Sequence, residues 1–126
     1  MSTTWEMHGT TVLIVHLGAA HSQAELAEAI LAAKAKTAFR PGTFLLLDAR
    51  QSLMNPTAEE VRVRCHSIAA LRDMGLSPHC AVVLGSRPVQ FGLARMAQVF
   101  LEAEGMDFGI FDDLNEALAW LSTVEP

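Results

Sequence analysis

Short runs of apolar or β-branched residues alternate along the chain with longer stretches in which apolar residues recur at helical spacing. The most continuous run, Thr43–Asp48, follows the strong break Pro41-Gly42 and gives way abruptly to polar residues. A short uninterrupted apolar run between turn residues is typical of a strand covered on both faces. We therefore interpret Thr43–Asp48 as the central strand of a sheet.

Four further runs have the character of strands. Thr3–His8 and Thr10–Leu17 are joined at Gly9, a pattern that predicts an antiparallel hairpin with the shorter strand at the edge of the sheet. Cys80–Leu84 is predicted to be a second central strand, and Phe108–Phe111 a short last one.

Four helices are predicted between and after these strands. Ser22–Glu25 and Asp113–Glu116 have capping-box spacing, and Asn55 and Pro56 suit an N-cap and a first helical position. The third helix, Val89–Glu104, carries apolar residues on more than one face, which indicates broad burial or an additional interface. The inward stripes of the other three helices are predicted from their spacing: Leu26, Ile30, Ala33 and Thr37; Val61, Cys65, Ile68 and Leu71; Leu114, Ala117, Leu118 and Leu121.

The resulting order of elements is β-β-α-β-α-β-α-β-α. Repeated strand–helix units predict an α/β fold, because parallel strands require crossover connections that are usually helical. We therefore expect one domain over residues 1–126, with a mixed, mostly parallel five-stranded sheet and helices on its faces.

The ordered set of sequence blocks also resembles a known family. The blocks are Leu46–Asp48, Ala81–Val83, Phe91–Met96, Phe111-Asp112 and Glu116–Leu121. Together they resemble the STAS/SpoIIAA-like group, whose fold is shared by anti-sigma-factor antagonists and is often compared with lipid-binding CRAL-TRIO domains. The resemblance covers nearly the whole chain and implies a SpoIIAA-like fold with a regulatory, non-enzymatic role.

The resemblance also raises a phosphorylation site. The antagonists carry a phosphorylatable serine in an Asp-Ser-Ser-Gly turn that opens a helix. Counted from Asp48, that turn falls near Asn55–Ala58, where Thr57 supplies a hydroxyl; Ser52 is the only serine of the loop. The aspartate, the paired serines and the glycine are missing here. Simple helix capping by Thr57 and Asn55 is the alternative interpretation.

Polar residues that follow the predicted strands form a candidate binding site. They are Asp48, Arg50 and Ser52 after the central strand, Ser86 and Arg87 after the next strand, and His16 and His21 around the first crossover. Open α/β sheets bind ligands at the carboxyl ends of their strands. Arg50 and Arg87, near helix N-termini, would suit a carboxylate or phosphate. Alternatively, both arginines are solvated loop charges or pair with Asp112 and Asp113.

Enzymatic and metal chemistry receive less support. Ser86, His21 and Asp48 resemble a hydrolase triad in composition, and Ser52 is a second possible nucleophile. However, Gly85-Ser86 is only half of a nucleophile elbow, because Pro88 stands where the second glycine belongs. No recognised metal-ligand spacing or nucleotide-binding motif occurs, so we predict no metal and no cofactor.

Composition narrows the possible partners and the compartment. The net charge of −5, from 9 basic and 14 acidic residues, argues against nucleic acid. The apolar runs are too short for a membrane span and lack signal-peptide flanks. Cys65 and Cys80 are interpreted as buried thiols in a reducing compartment. A cytoplasmic protein is therefore expected.

The sequence leads to a non-enzymatic binding or regulatory domain that recognises a protein or a small anion at the loops after Asp48 and Leu84. The alternative is a carrier of lipid or a small apolar ligand, with the helix segment Val89–Leu101 lining its pocket. A small serine hydrolase is the third possibility. The apolar surplus of Val89–Leu101 also predicts a homodimer.

Overall fold

The computed structural model describes residues 3–36 and 40–124 and follows the predicted order of elements. The strands are β1 (Thr4–His8), β2 (Val12–His16), β3 (Thr43–Ala49), β4 (Leu76–Leu84) and β5 (Asp107–Phe111). The helices are α1 (Gln23–Lys36), α2 (Ala58–Ala70), α3 (Pro88–Ala103) and α4 (Leu114–Leu121), with a 3-10 turn at Leu71–Met74 between α2 and β4.

The five strands form one sheet in the order β1-β2-β3-β4-β5. β1 pairs with β2 antiparallel, and β2 to β5 are parallel. The α/β class, the five-stranded sheet and the predicted hairpin are therefore confirmed. Gly9 makes the hairpin turn with a positive φ of 60°, a conformation that glycine adopts without steric cost.

Each face of the sheet has its own helices. Because successive parallel strands lie side by side in one direction, right-handed crossovers bring α1, α2 and α3 to the same face. Their buried residues form one core with Leu13, Leu45, Val82 and other alternate residues of the strands. The intervening strand residues, including Ile14, Leu46 and Val83, pack beneath α4 on the opposite face.

The first and last helices begin at the predicted caps, but only one half of each predicted capping box is formed, and the Glu25 carboxylate accepts from the Thr3 hydroxyl instead. The Ser22 hydroxyl accepts a hydrogen bond from the Glu25 amide at 3.1 Å, and Asp113 accepts from the amides of Asn115 and Glu116. Of the predicted stripe of α1, Leu26, Ile30 and Ala33 are buried, whereas Thr37 lies outside the described residues.

The predicted start of α2 is wrong. Thr57, and not Asn55, is the N-cap, and Pro56 precedes the helix. The Thr57 hydroxyl accepts from the Glu60 amide at 3.2 Å, and a Glu60 carboxylate oxygen accepts from the Thr57 amide at 2.9 Å. This reciprocal capping box satisfies two amides at once, whereas the Asn55 side chain is bound to Arg87.

β4 begins four residues earlier than predicted. It includes Ser77, Pro78 and His79, and its pairing with β3 shifts register between Thr43 and Leu45. An irregularity of this kind admits a proline, because the local ladder does not require its missing N–H.

The apolar residues of α3 differ widely in burial. Its buried residues are Gln90, Ala94 and Leu101, which repeat at helical spacing. Phe91 and Val99 are 55% and 65% exposed. α3 therefore packs on the sheet through Leu101, Ala94 and one glutamine, with partly buried apolar residues beside them: Leu93, Met96, Ala97 and Phe100.

Candidate functional site

The predicted site residues divide between the two faces of the sheet. Side chains alternate along a strand, so Asp48 shares the α4 side with Phe44 and Leu46. Leu47 and Ala49 belong to the opposite core beneath α2 and α3. The residues after β3 consequently serve two separate clusters.

The first cluster is centred on the Asp48 carboxylate, whose side chain is only 7% exposed. Arg50 donates to it from Nε and Nη2, both at 2.9 Å, and from its backbone amide at 3.1 Å. His16 Nδ1 lies 2.6 Å from Asp48, and His16 Nε2 lies 2.6 Å from a Glu6 carboxylate oxygen. This ionic cluster ties β1, β2 and the end of β3 together.

These contacts set the ionisation of the cluster. Burial alone would raise the pKa of Asp48, but the hydrogen bonds from Arg50 and His16 outweigh it and lower the pKa to about 2. Burial would lower the pKa of His16, yet its bonds to Asp48 and Glu6 raise it above 6.5. Asp48 thus orients Arg50 and is not poised as an acid.

The second arginine of the predicted site also has internal partners. Arg87 donates from Nη1 to the Ser52 carbonyl at 3.0 Å and from Nη2 to Asn55 Oδ1. Ser86 is exposed. The alternative pairings with Asp112 and Asp113 are not formed as hydrogen bonds, although Asp113 contributes to raising the pKa of Arg50.

Gln90 joins the loops that follow β3 and β4, and sequence reasoning missed it. The side chain is 5% exposed and donates from Nε2 to the carbonyls of Ala49 and Ser52, at 2.9 and 3.2 Å. Its Oε1 accepts from the Gly85 amide at 2.8 Å. The signal in the sequence for this role was the position of Gln90, a polar residue one helical turn before the inward-facing Ala94.

Beneath these loops lies a cavity of about 150 Å³ between the sheet, α2 and α3. Most of its lining is aliphatic or aromatic. Its apolar walls include Leu17, Leu47, Ile68, Leu93, Ala97, Leu101 and Phe108. Its polar lining consists of His21, Ser52, Arg64 and Gln90, with the buried thiol of Cys65.

Ser52 and His21 form a hydrogen-bonded pair in this lining. Ser52 Oγ lies 3.1 Å from His21 Nε2 and accepts from the Met54 amide at 3.3 Å. Burial, with a contribution from Arg64, lowers the pKa of His21, so its imidazole is neutral at pH 7. The triad composed of Ser86, His21 and Asp48 is not assembled, because Asp48 binds His16 and Arg50 instead.

The two candidate phosphorylation residues differ in access. Thr57 is exposed at the start of α2, with its hydroxyl bound to the Glu60 amide. Ser52 is 7% exposed, with its hydroxyl bound to His21 and Met54.

Comparison of the chain with protein-family models, with curated proteins and with solved structures finds no match. None of the helices within residues 3–36 and 40–124 is long and apolar enough to cross a membrane. Over the same residues, no group of three or more His, Cys, Asp or Glu side chains is placed to hold a metal ion.

The role of Gln90 can be tested by Gln90→Leu. This change leaves the Gly85 amide without its partner and removes one of the two hydrogen bonds to each of the Ala49 and Ser52 carbonyls. We expect the free energy of unfolding to fall by about 2–4 kcal/mol. Gln98→Leu, on the same helix, removes a single bond to the Phe108 carbonyl and should cost about 1 kcal/mol. Urea denaturation measures both, and equal losses would contradict the bridging role of Gln90.

The ionic cluster predicts a specific loss of stability in acid. Because the pKa of Asp48 is about 2 when folded and 3.8 ordinarily, its contribution is complete above pH 4 and is lost as pH falls toward 2. The amount is about 2 kcal/mol. Asp48→Asn should flatten the stability profile between pH 4 and 2, and Asp73→Asn, at an exposed position, should not. An unchanged profile in Asp48→Asn would contradict this account.

Proposed function

We propose that this protein binds a small, mainly apolar molecule in the cavity between the sheet, α2 and α3. The observation that carries the proposal is the cavity itself, about 150 Å³, which is lined by core residues and opens to the surface. Protein interiors contain few voids larger than a water molecule. Ligand sites are typically apolar pockets with a few convergent polar groups, which is the composition of this lining.

The size of the cavity limits the size of the apolar group. An engineered cavity of roughly 150 Å³ in another protein stays dry and takes up benzene or xenon. We therefore expect one aromatic ring or a short alkyl chain to fit, whereas a full lipid tail would extend beyond the cavity.

Anion binding through Arg50 and Arg87 receives less support. The Arg50 guanidinium already makes a two-point contact with Asp48, and Arg87 is engaged by Ser52 and Asn55. An incoming anion would have to compete with these charge-assisted or carbonyl-directed bonds.

Serine hydrolysis also receives less support, although Ser52 and His21 have the spacing of a nucleophile and its base. Acyl transfer requires free donors for the developing oxyanion. The amides nearest the hydroxyl are already used. The backbone amide of Ser52 donates to the Ala49 carbonyl, that of Leu53 to the Ala19 carbonyl, and that of Met54 to Ser52 Oγ.

A STAS/SpoIIAA-like relationship and a regulatory role remain part of the proposal. The supporting features are the mixed sheet with sequential strand order and the sequence blocks that resemble the family. In such a role, a ligand in the cavity would change the conformation of the loops held by Gln90, and a partner protein would bind these loops.

A homodimer through α3 is proposed separately. Phe91 and Val99 leave apolar surface exposed on this helix, with Arg95 5.8 Å above the centre of the Phe91 ring. Exposed apolar surface favours association.

Sedimentation at micromolar concentration should show a dimer, and finding only the 13.6 kDa species would contradict the proposed homodimer.

The proposed cavity site is tested with benzene as the probe. We expect a Kd of about 1 mM or lower, equivalent to about −4 kcal/mol, with NMR shifts at residues that line the cavity. Ala97→Leu should occupy part of the space and abolish binding. Ala103→Leu, the same change at an exposed position of α3, should bind as the wild type does.

Circular dichroism and the dispersion of amide signals verify that both variants are folded. Failure of the wild type to bind benzene would overturn the proposed function. Undiminished binding in Ala97→Leu would show that the probe binds elsewhere.

A further inference from the structure

One cation among the cavity residues has no hydrogen-bonding partner. Arg64 is half-buried on α2 and, within the described part of the chain, its side chain forms neither a hydrogen bond nor a salt bridge. The other arginines around the site differ: Arg50 binds Asp48, Arg62 binds Glu59, and Arg87 binds Ser52 and Asn55. A guanidinium that is partly removed from water is stabilised by an anionic acceptor.

Arg64 also stands where the cavity meets the surface. A shallow surface depression adjoins the cavity, and His21, Met54 and Arg64 line both. A molecule whose apolar part lies in the cavity would therefore present its polar end to these residues.

The acidic residues of the depression are already engaged. Glu59 is bound by Arg62, and Glu60 accepts the Thr57 amide in the capping box. Glu60 interacts with Arg64 electrostatically but remains tied to the helix start. The donors of the Arg64 guanidinium are thus available to a ligand.

From this arrangement we infer that the ligand is a small organic carboxylate, an inference that rests on the proposed function. Its benzene-sized or short alkyl part fills the cavity, and its carboxylate is bound by Arg64. The planar guanidinium fork matches the two oxygens of a carboxylate. Ser52 and His21, hydrogen-bonded to each other, form the rest of the polar lining with Arg64 and Gln90.

The chemistry of this mouth favours a carboxylate over a neutral polar group. Ser52 and His21 are already hydrogen-bonded to each other, and a neutral alcohol or amide would leave Arg64 without a charged acceptor. Charge-assisted hydrogen bonds are stronger than neutral ones. Discrimination between a carboxylic acid anion and its amide therefore reports on Arg64 specifically.

The test compares phenylacetate with phenylacetamide, which has the same ring and nearly the same shape but no charge. For the wild type at pH 7 we expect calorimetry or NMR titration to give about ten- to a hundredfold tighter binding of phenylacetate. Arg64→Gln should remove this preference while retaining phenylacetamide binding, which also shows that the variant is folded. Arg62→Gln, two residues away on α2 and outside the cavity lining, should keep the preference for phenylacetate.

The outcomes separate this inference from the proposed function. Equal binding of both compounds by the wild type would overturn the carboxylate inference and leave the cavity as a site for neutral molecules. A preference that persists in Arg64→Gln would overturn the assignment to Arg64. Binding of neither compound, with no binding of benzene, would overturn the proposed function and this inference together.

Discussion

The candidate site depends on the amide of Gln90, which holds the carboxyl ends of β3 and β4 to α3. Two of its hydrogen bonds hold the end of β3 and the following loop, and the third holds Gly85 after β4. Arg87 adds a further hydrogen bond to the loop after β3. The neighbouring inward residues of α3, Ala94 and Ala97, are too small to fill the space below. An unfilled void of this size costs on the order of 3–4 kcal/mol, as an upper bound for one that opens to the surface. This cost is the physical reason for proposing that a ligand occupies the cavity.

The alternation of side chains along β3 separates the ionic cluster from the cavity. Asp48 points toward the α4 face, where it joins β1 to the sheet through His16 and Arg50. Because its pKa is lowered to about 2, Asp48 keeps its negative charge at neutral pH. Ser52, beyond the end of the strand, belongs instead to the cavity. Two polar residues only four positions apart therefore belong to different clusters.

The periodicity of apolar residues predicted the elements and the class of fold, because the spacing of these residues depends on which faces of a helix or strand are buried. It did not predict the site. The importance of Gln90 depends on which side of α3 meets the sheet, and the apolar residues on more than one face of this helix left that side undetermined. Arg64 looks like any helical surface charge until α2 and α3 are packed together. The start of α2 was missed because Asn55-Pro56 is a strong local signal that the Thr57 capping box overrides.

The central claim is that the cavity is an open, apolar binding site, and xenon tests it most directly. Xenon is a probe of apolar cavities of this size and requires no polar contact. Crystals pressurised with xenon should show an anomalous peak between Ile68 and Leu101, residues that line the cavity from α2 and α3. An empty site under xenon, or side chains filling the space between these two residues, would contradict the account.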